Sequence, residues 1–160
     1  MAILKITTDL EFLRKKSKPV TEFNARLHQI IDDMRDTLKN AHGAGLAAVQ
    51  VGILYRVCLV VASDGVVELV NPEIINSSNP KSAEEGCLSV PDSGYLFVSR
   101  PHIVTVRAQD RFGNTFTRDF EKMSAVCACH ETDHLDGILF TDKAEKKPKP
   151  NKKKTVENET

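Results

Sequence analysis

Between residues 23 and 42, apolar side chains recur at three- and four-residue intervals. Phe23, Leu27, Ile30, Ile31, Met34 and Leu38 form one stripe, which predicts an amphipathic helix over 24–42. Asn24 suits the cap at its start and Gly43 the stop at its end. Residues 56–61 and 66–70 are β-rich runs and predict strands, with Asp64-Gly65 between them as a tight hairpin turn. Residues 103–109 and 115–120 predict a second strand pair, joined by a turn over 111–114. A second helix is predicted from 124 to 134 or 136, closed by Gly137. Its opening run, Ala125-Val126-Cys127-Ala128-Cys129, is apolar on every side, which places this helix at the centre of the molecule. Strand pairs flanked by two helices, with no β-α-β alternation, predict an α+β fold. Small antiparallel or mixed β-sheets would pack around the central helix, with the amphipathic helix N-terminal to them.

A chain of 160 residues accommodates one compact domain, and 41% hydrophobic with 28% charged residues is the composition of a globular protein. The 22 basic and 22 acidic residues cancel, so net charge offers no argument for DNA or a membrane surface as partner. The cancellation hides an asymmetry. Residues 143–160 carry a net charge of +4 and the preceding 142 a net charge of −4. The Lys- and Pro-rich segment has little to bury, so the expectation is a body over 1–142 and a disordered basic tail over 143–160. A solvated tail is the plain reading, and an acidic partner such as RNA is the other. No run of 18 apolar residues exists, and the N-terminus lacks the pattern of a signal peptide. Four cysteines without an export signal read as thiols in a reducing compartment, the cytoplasm.

The sharpest chemical signal is His130-Glu131-Thr132-Asp133-His134, an H-E-x-x-H on the second helix. Histidines at i and i+4 share one helical face and reach one metal ion, with Glu131 beside it to take a proton from water. The competing reading is a surface helix with two incidental histidines, against which the apolar flanks argue. Two histidines do not complete a catalytic site, which uses about three protein ligands. Downstream lie only Asp136, Asp142 and the tail carboxylates. Upstream lies Glu85-Gly86-Cys87-Leu88-Ser89, whose thiolate would favour Zn²⁺ or Fe²⁺. Taken alone, Cys87 reads equally as a small buried residue. In Gly43-Ala44-Gly45-Leu46-Ala47-Ala48-Val49-Gln50 the glycines let another backbone approach, and Gln50 offers an amide donor. The simpler account of that segment is a helix stop followed by a small-residue strand.

Taken together and in this order, G-x-G-L-A-A-x-Q, E-G-C-L-S and H-E-x-D-H resemble the peptide deformylases. The resemblance spans residues 3–142 and includes Lys18-Pro19-Val20, Asp32-Asp33-Met34 and Asp136-Gly137-Ile138-Leu139-Phe140. Without an insertion between the first two motifs, the chain is similar to the compact bacterial type. The resemblance implies Cys87, His130 and His134 as metal ligands. The ion would be Fe²⁺, with Zn²⁺, Ni²⁺ or Co²⁺ as substitutes. Glu131 would be general base and acid, and the Gln50 side chain and Leu88 N–H the oxyanion hole. Ala44, Gly45 and Gly86 would contact substrate, and Val126 and Cys127 would wall the methionine pocket. Glu85 would pair with Arg100, and Asp133 would support the metal helix. The implied activity is removal of the N-formyl group from nascent polypeptides in the cytoplasm, releasing formate. The ribosome would be a partner through the basic tail, with no membrane or DNA partner. The chain departs from the family pattern at Cys129, usually Gln; at Ala44, commonly Ile or Val; near Gly94, where relatives often carry Arg; and in the tail, which replaces a long helix. Two other readings are a zincin-like endopeptidase, which leaves Cys87 and Gln50 without roles, and a decayed paralogue that only binds formyl peptides.

Overall fold

The computed structural model describes residues 2–145. Two helices, α1 (Leu10–Leu13) and α2 (Ala25–Ala41), precede strand β1 (Gly45–Ala47) and a single 3₁₀ turn (Ala48–Val51). Strands β2 (Val57–Ala62), β3 (Gly65–Ser77), β4 (Pro80–Glu85), β5 (Leu96–Pro101), β6 (Ile103–Gln109) and β7 (Thr115–Glu121) follow. Helix α3 (Lys122–Leu135) comes last among the long elements. One sheet has the order β1-β2-β3-β6-β7 and a second is the β4-β5 hairpin. Every strand pairing is antiparallel, so the architecture is α+β with antiparallel sheets.

The larger sheet is covered on both faces. Cys58 and Val60 of β2 pack with Val104, Val106, Phe120 and the α3 residues Ala125, Ala128 and Leu135. Val57 and Leu59 point the other way, against Leu27, Ile31, Met34 and Leu38 of α2. Period-two alternation with both faces buried explains why β2 begins as an uninterrupted apolar run. The small side chains Ala125, Cys127, Ala128 and Cys129 let α3 lie close to the sheet, and residues 125–131 of the helix are all buried.

Several boundaries differ from the sequence expectation. Helix α2 ends at Ala41, and His42, not Gly43, adopts the left-handed conformation (φ 54°). The His42 and Gly43 N–H groups donate to Lys39 and Leu38 carbonyls, the pattern of a Schellman stop. Gly43 serves closeness instead, since a Cβ there would lie 3.1 Å from both Leu38 and Leu88. The β2–β3 loop is Ser63-Asp64, and Gly65 already pairs with Ala62. Strand β3 continues well past residue 70 by absorbing one extra residue between Ile74 and Asn76 and another between Val70 and Glu73. Asn71 takes φ 51° at the second of these bulges and is held by two hydrogen bonds to the Val20 backbone. The β4-β5 hairpin was not expected from the pattern, because Lys81, Ser82, Glu84 and Glu85 obscure its alternation.

The body also extends beyond residue 142. Ala144 bridges Val98, the Glu145 N–H donates to the Phe97 carbonyl, and Lys143 pairs with Asp133 at 3.1 Å. The expected tail over 143–160 is corrected to this extent: Ala144 and Glu145 join β5 and Lys143 reaches α3. Residues 146–160 lie outside the described residues.

Candidate active site

Helix α3 presents His130 and His134 one turn apart, and the loop after β4 carries Cys87 to the same point. One nitrogen from each histidine and the Cys87 sulfur lie within 4.8 Å of one another. The Cys87 Sγ is 3.4 Å from His134 Nε2. The Nδ1 of His130 is held by Glu85 Oε1 at 2.7 Å, which leaves its other nitrogen for the cluster. Glu85 accepts two hydrogen bonds from Arg100, at 2.6 and 3.1 Å, and Arg100 donates a third to Asp133 at 2.6 Å. This chain of charges fastens the β4-β5 hairpin to α3. Burial alone would raise the Glu85 carboxyl, but hydrogen bonds from His130 and Arg100 hold it below the ordinary range.

A cation fits this cluster. One thiol and two imidazoles form a soft-to-borderline donor set. His134 Nδ1 and Glu131 Oε1 are buried without a hydrogen-bond partner among the described residues. Without a cation, the two rings are pushed in opposite directions. Burial and the neighbouring His130 depress His134 to about 3. Burial also works against charge on His130, yet Glu131, Cys87 and Glu85 outweigh it and raise that ring to about 10.

Glu131 lies beside the cluster. Burial raises its carboxyl to about 7, with His130 opposing the rise and Glu85 adding to it. The Cys127 thiol, held protonated by burial, donates to the Ala44 carbonyl at 3.2 Å and lies 3.9 Å from Glu131 Oε2. Gly45 is required here. A Cβ would meet Cys127 Sγ at 2.4 Å and Glu131 Oε2 at 2.7 Å. The Gln50 Oε1 accepts from the Ala47 N–H at 2.9 Å, and its Nε2 lies 3.2 Å from Ser89 Oγ and 3.7 Å from Cys87 Sγ. That anchoring aims an amide donor at the cluster. The Leu88 N–H donates to no other group among the described residues.

These groups surround one cavity of about 460 Å³. Ala44, Gly45, Gln50, Gly86, Leu88, Val126 and Cys127 line it, together with Cys87, His130 and Glu131, while His134 sits behind them. The polypeptide deformylase family model matches residues 2–150. The chain belongs to the polypeptide deformylase family. It is 53% identical over 144 residues to a peptide deformylase of Caldicellulosiruptor bescii, covering 89% of this chain and 86% of that one. It is 52% identical over 133 residues to that of Heliobacterium modesticaldum, covering 83% and 87%. Among solved structures, a Legionella pneumophila peptide deformylase superposes with a TM-score of 0.84 at 42% identity, covering 98% of this chain and 92% of that one.

The deformylase motifs located the cluster but not its surroundings. Ser89, which orients Gln50, and the cavity residues His42, Val90, Tyr95 and Met123 were missed. For Tyr95 a signal existed: an aromatic residue inside a Pro-Asp-Ser-Gly loop has no core to join. For the others the sequence carries none.

Proposed function

We propose that this deformylase removes the formyl group from the N-terminal formyl-methionine of nascent polypeptides, yielding formate and a free amine. Cys87, His130 and His134 would hold one divalent cation; thiolate and imidazole donors suit Zn²⁺ or Fe²⁺, and the family resemblance favours Fe²⁺. When bound, the ion supplies Lewis acidity that makes a water nucleophilic near neutral pH. Glu131 takes the proton from that water as its oxygen attacks the formyl carbon, and returns it to the nitrogen as the C–N bond breaks. Negative charge developing on the formyl oxygen meets Gln50 Nε2 and the Leu88 N–H, and one such donor is worth about 3–4 kcal/mol. Ala44, Val126 and Cys127 offer apolar surface to the methionine side chain. Gly45 and Gly86 leave room for its backbone.

One observation carries this reading. A buried carboxyl of raised pKa, three converging donor atoms and an anchored amide share one end of a single cavity. The test is formate release from formyl-methionyl peptides by protein purified anaerobically with Fe²⁺. Glu131→Gln should keep the metal and lose about 10²–10⁴-fold in turnover. No formate, or internal cleavage of unformylated peptides, overturns the reading. The cytoplasm is the compartment we assign, because formylated nascent chains are met there. The ribosome is proposed as a partner of residues 143–160 through their net charge of +4. Salt-sensitive co-sedimentation that persists after removal of residues 146–160 would refute that role for them.

A further inference from the structure

Glu131 is buried among groups that give its carboxylate almost nothing to hold. Its Oε1 has no hydrogen-bond partner, and its Oε2 meets only the Cys127 thiol among the described residues. Cys127 stands four residues earlier on α3, one turn away on the same face of the helix. Its sulfur lies 3.9 Å from Glu131 Oε2 and 3.2 Å from the Ala44 carbonyl oxygen. Two acceptors therefore face a thiol with one proton. Rotation about the Cβ–Sγ bond carries that hydrogen from one acceptor to the other while every heavy atom stays in place. Burial, with Glu131 beside it, pushes the thiol up, so the hydrogen stays on the sulfur. The Ala44 carbonyl also accepts from the Val61 N–H at 2.8 Å, so it is not stranded when the thiol turns away. Gly45 closes the third side. A Cβ there would lie 2.4 Å from the Cys127 sulfur and 2.7 Å from Glu131 Oε2, so the backbone of β1 runs against the gap between them.

We propose that Cys127 is a positioning residue for deformylation, whose thiol holds Glu131 Oε2 and turns between it and the Ala44 carbonyl. This rests on the deformylase reading above. While Glu131 is the anion that receives a proton from water, the S–H points to Oε2 and leaves Oε1 for that water. Once Glu131 carries the proton, the S–H turns back to Ala44. The sulfur neither gains nor loses a proton at any stage. A thiol suits this place in two ways. It is apolar enough to wall the methionine pocket, and weak enough as a donor to leave the carboxylate basic.

The test measures kcat and KM for formate release from formyl-Met-Ala-Ser and formyl-Ala-Ala-Ser by metal-loaded parent, Cys127→Ala and Cys127→Ser. Cys127→Ala should lower kcat about tenfold, by the same factor on both peptides. A residue that only walled the pocket would instead raise KM, and for the methionine peptide alone. Cys127→Ser, which keeps a donor, should regain about threefold of the lost kcat. A second readout is the S–H stretching band in the infrared, assigned to Cys127 by its loss in Cys127→Ser. Glu131→Ala should shift that band, in metal-loaded and metal-free protein alike. Unchanged kcat in Cys127→Ala, equal kcat in the Ala and Ser variants, a loss confined to the methionine peptide, or an unmoved band overturns the positioning role. Absence of formate with the parent chain overturns the deformylase reading instead.

Discussion

A Cβ at position 45 would overlap both Cys127 and Glu131, so this glycine sets where the Glu131 carboxylate stands. Gly45→Ala should therefore retain metal and fold yet lose about 10²-fold in kcat, the scale expected for an ångström of misplacement. Metal content measured beside formate release checks it, and near-normal kcat would show that the segment yields instead. Glu131 has a second consequence, for stability. Its carboxyl is raised from the ordinary 4.5 to about 7, so the metal-free fold prefers it protonated. The stability this contributes is complete below about 4.5 and is lost as pH rises through about 7. In metal-free protein, Glu131→Gln should gain on the parent chain by on the order of 3 kcal/mol between pH 4.5 and 8. Denaturant titrations at the two ends of that range measure the difference, and a constant difference contradicts the assignment. The identities of Cys87, Glu131, His130 and His134 were legible because helical spacing and motif order reveal them. The burial that tunes Glu131 was not, since it depends on Gly45 and Cys127 arriving from other elements.

At the level of elements, the β4-β5 hairpin is where sequence reading failed and where much of the site is built. Its polar residues look like a loop because Glu85 and Arg100 pair with each other and with His130 and Asp133 of α3, which no local pattern records. Glu85 and Arg100 are nearly fully buried, and their remaining hydrogen bonds form only when hairpin and helix dock. Helices α2 and α3 and strand β2 were legible for the opposite reason, as the apolar stripe of α2 and the continuous apolar runs of α3 and β2 record burial directly. Replacing Arg100 with Ala would leave Glu85 with His130 alone and Asp133 with Lys143 alone, at a cost of about 3–5 kcal/mol. Arg100→Lys should recover only part of this, because one ammonium does not reproduce the fork that spans Glu85 and Asp133. Chemical denaturation of both variants gives the ranking, and equal stability of Lys and Arg would contradict it.

For the molecule as a whole, Ala144 and Glu145 join the body, and Asp142 is paired with Arg14 near the N-terminus. A chain ending at Glu145 should melt as the full chain does. One ending at Asp142 should melt a few degrees lower, having lost the Ala144 bridge and the Lys143–Asp133 pair. Identical melting of the two truncations would mean that these contacts contribute nothing. The donor cluster spans the same junction between hairpin and helix, since Cys87 belongs to one side and His130 and His134 to the other. An ion shared across that seam works as a rivet. At a thousandfold excess over its dissociation constant it should add about 4 kcal/mol and raise the melting temperature by roughly 10 °C. Cys87→Ala, with one side of the seam unfastened, should fold and gain little from added metal. Scarcity of the ion would then reach the cell first as a shorter-lived protein, and only afterwards as a slower one.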